Sequence, residues 1–312
     1  MKQVIIWLIR AGLFGVFFLL TFYLFDWDFV RRQGERLLCH PGWLVWMALA
    51  YLLAFGLRAL AWRTYLRGHV SFSACLHGLF YSLFINHVLP VKAGDIIRIG
   101  YIVKREAISW SEAVHSVVVL RLLDMLVLGG MAAAGILALG LSLPTVVFWF
   151  ALAGSIAVVG VVYTWLKKSE RGFLRKHVHM LRDGLAGQRG FLIVVATIFS
   201  WVLEAWVIYG VVRALALDIS FLEGVWANSV TIAGQTFHFT PGGVGTYESV
   251  MSFSLAALGT EWQDAYLATL LSHAFKFVFS YVAGLYVLFC APLSVGEMRE
   301  WIKGRMQPNN EK

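Results

Sequence analysis

The chain has 312 residues, of which 59% are hydrophobic and only 14% are charged, and its mean hydropathy is +0.72. Soluble domains carry roughly a quarter of charged residues, so this composition excludes a soluble globular protein. The net charge of +8 falls mainly in segments between apolar runs. Membrane topology and anionic lipids account for such a charge, which therefore gives no indication of a nucleic-acid partner.

Six apolar stretches are long enough to cross a bilayer, which takes about 20 residues. The first, Val4–Phe25, lacks a cleavage site with small residues, so we expect a retained span rather than a signal peptide. No soluble domain remains once the spans are placed, and residues 1–312 are expected to form a single integral membrane domain. The predicted spans are about 4–25, 43–66, 112–140, 145–166, 191–217 and 263–291.

Two further apolar segments are interrupted by proline and glycine. Phe72–Leu89 runs into Pro90, and Phe221–Thr240 runs into Pro241 and a glycine cluster. Backbone groups freed by such a break cannot face lipid, so they must line a cavity or be buried in protein. We therefore predict two re-entrant, or broken, helices in an all-α polytopic membrane protein. A kinked ordinary span is the alternative.

Both broken segments carry the same pattern of histidine, proline, glycine and acid, about 150 residues apart, which indicates a duplicated unit. The members are His87, Pro90, Gly94 and Asp95 in the first copy and His238, Pro241, Gly245 and Glu248 in the second. We predict repeat units at about 70–166 and 219–292. Three full spans lie between the copies, and this odd number predicts that the two units have inverted topology.

The segment 167–190 is rich in lysine and arginine, and the positive-inside rule places it in the cytoplasm. Counting spans from this loop in both directions places the N-terminus and the C-terminus in the cytoplasm as well. The expected location is the inner (plasma) membrane.

Charged residues inside the predicted spans are the candidate functional groups, because a charge at the bilayer centre costs about 2.5–3.5 kcal/mol and normally faces the bundle interior. Arg121 and Asp124 lie three residues apart on one helix face, where they can pair. His273 and Lys276 occupy the matching positions in the second copy, and Glu204 and Arg213 lie in the fifth span. These groups either form structural ion pairs or face a cavity that takes an anionic headgroup.

The breaks themselves offer further candidates. Backbone N–H groups of Gly242, Gly243 and Gly245 could form an anion-binding nest at the start of a helix, unless the glycines serve only to permit the turn. In the first copy Lys92 and Arg98 supply positive charge, with Asp95 as a possible partner. The alternative is that they are ordinary basic residues at the cytoplasmic surface of the membrane, where lysine and arginine are common.

His87 and His238 lie three residues before the two prolines, near the tips of the broken helices. Histidine titrates near neutral pH, which would permit a proton-coupled step. The favoured alternative is a hydrogen-bonded histidine without a proton role.

Three segments in order resemble the membrane region of lysylphosphatidylglycerol synthases and its stand-alone relatives. They are Asn86–Arg98 (NHVLPVKAGDIIR), Leu120–Asp124 (LRLLD) and Thr240–Glu248 (TPGGVGTYE), and the resemblance extends over roughly residues 5–292. It implies a flippase-like protein that moves a lipid between leaflets. Asp95 stands where such proteins often have glutamate, and Val91-Lys92 replaces a glycine-rich pair. The soluble aminoacyl-transferase domain has no counterpart here, so the resemblance implies the transport half alone.

We therefore expect a lipid translocase and not an enzyme, with an anionic or polyprenyl-phosphate headgroup held by Arg98, Arg121, Lys276 and the Gly242–Gly245 backbone. Asp95, Asp124 and Glu248 would neutralise the empty site or orient its cations. Three cysteines without metal-ligand spacing predict no metal site, and no cofactor is expected. The alternatives are a membrane enzyme with acid–base chemistry at Asp95, Glu248 and the tip histidines, or a scaffold of a lipid-modifying complex. A homo-oligomer or a lipid-pathway enzyme is the expected protein partner.

Overall fold

The computed structural model describes residues 27–89, 93–106, 108–141, 186–235 and 240–302. All regular elements in these ranges are helical. In chain order the α-helices are α1 (Trp27–Leu38), α2 (Pro41–Tyr65), α3 (Phe72–Val88), α4 (Gly94–Glu106), α5 (Trp110–Leu139), α6 (Gly187–Glu204), α7 (Trp206–Ala214), α8 (Phe221–Gly234), α9 (Thr246–Ala257), α10 (Trp262–Cys290) and α11 (Val295–Ile302).

Four helices in the described part of the chain are long and apolar enough to cross a membrane. They are α2, α5, α10 and the α6–α7 pair, which runs from Gly187 to Ala214. These four correspond to predicted spans 43–66, 112–140, 191–217 and 263–291. The predicted spans 4–25 and 145–166 lie outside the described residues, as does most of the basic segment 167–190.

The two broken segments are each divided into a pair of short helices, as the proline and glycine positions predict. Helices α3 and α4 have 17 and 13 residues, and α8 and α9 have 14 and 12. A helix that spans a bilayer typically has about 20 residues, so each of these four helices is shorter than a typical span. A short 3₁₀ turn at Pro241–Gly243 precedes α9. The first helix of each pair also starts alike, with the hydroxyl of Ser71 or Ser220 accepting a backbone N–H of the first turn.

The two predicted repeat units exchange contacts in a reciprocal way. The long helix α5 of the first unit packs against α8 of the second, and the long helix α10 of the second packs against α3 of the first. The tip of α3 also meets the 3₁₀ turn of the second unit. The repeat boundaries and the inverted relationship stay predictions, but the described parts of the two units interlock.

Glycines make both reciprocal contacts possible, because lipid-embedded helices approach closely only where side chains are small. A Cβ atom at Gly284 of α10 would lie 2.3 Å from the ring of Phe84 on α3. A Cβ atom at Gly135 of α5 would lie 2.5 Å from the ring of Trp226 on α8. Each glycine therefore receives an aromatic ring from the other unit.

The C-terminal helix α11 packs against α4. The indole of Trp301 covers Gly100, where a Cβ atom would lie 2.4 Å from the ring, and the ammonium of Lys104 pairs with Glu297. Hydrogen bonds from Lys104 and Ser294 hold the pKa of the Glu297 carboxyl below its usual value. Helix α4 is thus fixed between the bundle and the last helix.

We expect Gly284→Val to lower the thermal unfolding temperature of the purified protein in detergent. The added methyl groups meet Phe84 in a filled interface, and overpacking of this kind costs about 1–3 kcal/mol. The matched control is Gly130→Val, because Gly130 is exposed on α5 with no atom within 4 Å of its Cβ position. An equal decrease in both variants would contradict the assigned contact.

Candidate functional site

A cavity of ≈ 480 Å³ is lined by α2 and α6, by α3, α4 and α5 of the first predicted unit, and by α8, the 3₁₀ turn, the start of α9 and α10 of the second. Its wall contains five of the charged residues found inside the predicted spans, namely Arg58, Arg121, Asp124, Glu204 and Lys276. The ionisable lining residues are Arg58, His87, Asp95, Arg98, Arg121, Asp124, Glu204, Tyr51, Tyr247, His273 and Lys276. A second, wider depression of ≈ 710 Å³ near Trp43, Trp46 and Trp206 has no acid, lysine or arginine among its described lining residues.

The cavity carries a small excess of positive charge. Four cationic side chains, Arg58, Arg98, Arg121 and Lys276, stand against the three carboxylates of Asp95, Asp124 and Glu204. With neutral histidines, one net positive charge therefore remains in the described wall. A wall of this sign suits a ligand that carries negative charge, because an uncompensated charge is costly in low dielectric.

The Asp95 cluster consists of Asp95, Arg98 and Arg121. The guanidinium of Arg121 donates two hydrogen bonds to the Asp95 carboxylate, from Nη2 to Oδ1 at 2.9 Å and from Nε to Oδ2 at 3.2 Å. Arg98 Nε lies 3.1 Å from the same Oδ1, and Ser82 Oγ donates to it at 3.3 Å. Asp95 is therefore held by two arginines from two different helices.

Arg98 is the least satisfied of these cations. It is only 4% exposed, and its guanidinium lies over the ring of Trp62, 5.3 Å from the centroid. Its Nη2 and Nε atoms make no aligned hydrogen bond to any described residue. Buried donors normally find an acceptor, so the incomplete pairing of Arg98, a residue of the cavity wall, makes it a candidate ligand contact.

The Glu204 cluster consists of Arg58, Glu204 and Lys276. Arg58 Nη2 lies 2.6 Å from Glu204 Oε2, and Lys276 Nζ lies 2.8 Å from Oε1. The Lys276 ammonium is also within 5.1 Å of the Tyr247 ring centroid and 5.8 Å of the Tyr51 centroid. This cluster links α2, α6 and α10.

Trp201 connects the two clusters. Its indole N–H donates to Asp124 Oδ1 at 3.0 Å, while the Arg58 guanidinium lies over its ring at 3.9 Å from the centroid. Arg121 Nη1 is 3.9 Å from Asp124 Oδ2, so the predicted pair within α5 exists only as a long contact. Arg121 instead pairs chiefly with Asp95, because the packing of α4 against α5 brings that carboxylate closer.

A matching contact occurs in the second unit. The acid near the start of α9, Glu248, accepts from His273 Nδ1 of α10 at 2.6 Å, as Asp95 at the start of α4 pairs with Arg121 of α5. The Glu248 and His273 side chains are almost wholly buried, and Glu248 does not line the cavity. In both predicted units an acid near the start of a short helix thus contacts a basic side chain of the following long helix, but only the first contact opens broadly into the cavity.

The glycine segment is engaged by the protein's own groups. Gly245 N–H donates to Glu248 Oε2 at 2.7 Å, and Gly243 N–H donates to Thr240 O at 3.1 Å. Gly242 lies against the cavity, and its carbonyl oxygen is 3.1 Å from His273 Nε2. Gly243 and Gly245 do not line the cavity, and all three glycines have positive φ angles, so the turn itself requires them.

The tip histidine of the first copy, His87, lines the cavity. Its Nδ1 atom is 2.8 Å from Leu83 O, and its ring packs edge-on against Phe277. The second, His238, lies outside the described residues. Among the described residues no group of three histidines, cysteines or acids is placed to hold a metal ion.

Sequence reasoning missed Arg58 as a site residue and did not assign Glu204 to the site. Arg58 lies in the middle of an apolar span, which is the same signal that marked Arg121. The other charged residue of its helix, Arg63, lies five residues away, which does not give the three-residue spacing of Arg121 and Asp124. Arg213 was noted together with Glu204, but its side chain is exposed and it does not line the cavity.

These features define a class: a multi-pass helical membrane protein with a charged cavity that is lined by long apolar helices and by two pairs of short ones. The chain belongs to the family described as the lysylphosphatidylglycerol synthase TM region, whose model matches residues 7–284. The resemblance seen in the sequence is therefore confirmed. The family description associates the protein with membrane lipids.

One curated relative is the protein named glycosyltransferase AglD of Haloferax volcanii. It is 27% identical over 323 aligned residues, which cover 86% of this chain and 51% of that protein. The chain therefore spans about half the length of this relative. No solved structure matches the chain.

We expect Glu204→Gln to lower the stability of the purified protein by about 3–5 kcal/mol, because it leaves Arg58 and Lys276 in the interior without their counter-ion. Lys276→Met should cost less, since Glu204 keeps Arg58. Thermal unfolding in detergent measures both, with Arg213→Gln as the exposed-charge control. A similar loss in Arg213→Gln, or none in Glu204→Gln, would contradict the pairing.

Proposed function

We propose that this protein is a lipid translocase that binds an anionic or polyprenyl-phosphate-type headgroup in the cavity between its two broken helices. The observation that carries the proposal is the positively charged wall with a buried, unsatisfied Arg98. Arginine presents a planar fork of donors that suits phosphate oxygens. Membership of a family associated with membrane lipids supports a lipid as the source of that phosphate.

The cavity has the volume of a headgroup site rather than of a whole lipid. At ≈ 480 Å³ it falls within the roughly 300–1,000 Å³ that small-molecule sites occupy. In the proposed complex the headgroup contacts Arg98, Arg121 and Lys276, while the acyl or prenyl chains stay in the bilayer. The exposed apolar faces of α5 and α10 give those chains a path along the protein.

Alternating access is the proposed mechanism. Three features support it: pairs of helices shorter than a typical bilayer span, reciprocal packing of the two predicted units, and the contact between an acid and a basic side chain that occurs in both. In inverted-repeat transporters, movement of one unit against the other opens a central site to each side in turn. We propose this relationship for the units at about 70–166 and 219–292.

The protein is proposed to lie in the inner membrane with both termini in the cytoplasm. The reason is the basic segment 167–190, which the positive-inside rule places on the cytoplasmic side. A lipid-linked sugar is one candidate cargo, because a relative is named a glycosyltransferase. A partner enzyme that makes or uses the lipid would fit this role.

Lipid movement in proteoliposomes tests the proposal directly. We expect the wild-type protein to move fluorescent phosphatidylglycerol between leaflets faster than fluorescent phosphatidylcholine. Arg98→Gln should reduce that anionic movement about tenfold or more, because a hydrogen bond to a charged group contributes about 1.5–3 kcal/mol. The rate of dithionite quenching of the labelled lipid gives the measurement.

Arg213→Gln is the matched control, since it removes an exposed arginine and should leave the rate unchanged. Equal movement of both lipids, or of neither by folded protein, would contradict a headgroup-selective translocase. A change in the mass of the lipid after incubation would favour a membrane enzyme instead.

A further inference from the structure

The two carboxylate clusters of the cavity differ sharply in access. In the Glu204 cluster the Glu204 and Lys276 side chains are 4% and 5% exposed. In the Asp95 cluster the Asp95 and Arg121 side chains are 26% and 43% exposed, although both belong to the same cavity wall. One cluster is therefore closed into the helix bundle, and the other is open to whatever enters the cavity.

We propose that Asp95 is an internal counter-anion, which an incoming headgroup phosphate displaces from Arg121 and Arg98 and which returns when the lipid leaves. This inference rests on the proposed function and assigns the residue that regulates the same site. Glu204 remains paired with Arg58 and Lys276 throughout.

The geometry of the Asp95 cluster fits an exchange. The Asp95 carboxylate occupies both donors of the Arg121 fork, in the bidentate arrangement that a phosphate group also adopts. It engages Arg98 only through the Nε contact and leaves Nη2 of that guanidinium unsatisfied. A tetrahedral phosphate, with more acceptor oxygens than a carboxylate, can satisfy both arginines together.

Contacts with α3 hold Asp95 next to the arginines during the exchange. The hydroxyl of Ser82 donates to its Oδ1 atom, and the side-chain oxygen of Asn86 accepts from Gly94 N–H, which fixes the backbone beside it. A Cβ atom at Gly94 would lie 2.2 Å from Ser82 O, so α4 starts in close contact with α3. The carboxylate therefore needs only a side-chain rotation to release Arg121.

The exchange keeps both arginines paired with an anion, because an arginine without a counter-ion is costly in low dielectric. With Asp95 as a reserve anion, Arg121 and Arg98 face a negative group whether the lipid is present or absent. The same reserve anion weakens binding, since the lipid must compete with it. Weak binding permits release on the far side of the membrane, and turnover depends on that release.

Asp95→Asn is the variant that tests this assignment, because it keeps the side-chain shape and removes the competing charge. We expect the affinity for short-chain phosphatidylglycerol to rise about tenfold, the factor produced if Asp95 occupies the arginines in roughly nine of ten molecules. Movement of fluorescent phosphatidylglycerol should become slower at the same time. Asp95→Glu should retain both properties near the wild-type values.

Binding is measured by titration calorimetry in detergent, with short-chain phosphatidylcholine as the uncharged-headgroup comparison. The matched control is Asp218→Asn, the same carboxylate-to-amide change at an exposed position that does not line the cavity, which should leave binding unchanged. The probe should also raise the unfolding temperature of Asp95→Asn by more than that of the wild type, because it supplies the missing anion. If Asp95→Asn folds only when purified with the probe, that dependence supports the assignment.

The outcomes separate this inference from the proposed function. Wild-type protein that neither binds nor moves an anionic lipid would contradict the proposed function. Wild-type protein that does both, with an Asp95→Asn variant that binds the probe equally or more weakly, would overturn the counter-anion alone. An Asp95→Asn variant that stays unfolded with and without the probe would also overturn the counter-anion. In that case the Asp95 carboxylate would be required for folding and could not be replaced by a lipid headgroup.

Discussion

Charges buried in an apolar bundle must be paired, and most of the described architecture depends on how this chain pairs them. Lipid provides no hydrophobic force that drives one helix onto another, so polar contacts and close packing decide which helices associate. Glu204 joins α2 to α10 through Arg58 and Lys276, and Asp95 joins α4 to α5 through Arg121. The cavity lies where these pairings converge, because the helices that carry them cannot also fill the space with aliphatic side chains.

The second predicted unit contains a similar contact, but in a closed environment. Glu248 caps the start of its own helix and accepts from His273, so both of its oxygens are engaged and the pair is closed. Its counterpart Asp95 is shared between two arginines and stays open to the cavity. The acid of the second predicted unit is therefore closed into the protein, whereas the acid of the first is open to the cavity.

The spacing of residues along the sequence predicted where the helices lie better than it predicted which side chains contact one another. Prolines and glycines located the two breaks, and the apolar runs located four described spans within a few residues. The three-residue spacing of Arg121 and Asp124 placed both on one face, but the choice of Asp95 as the partner depends on how α4 packs against α5, which spacing does not contain. The glycine segment did contain an overlooked signal: an acid three residues after Gly245 is the pattern of a helix cap, and Glu248 occupies that N–H.

The contact between the last helix and α4 gives the ligand site a mechanical connection to the end of the described chain. Lys104, which pairs with Glu297 of α11, lies about 9 Å along the axis of α4 from Arg98, less than two helical turns away. Because both ends of this stretch belong to one continuous helix, a displacement of α11 would also move the part of α4 that carries Asp95 and Arg98. A protein that binds α11 would therefore act on the proposed headgroup site without contacting the cavity.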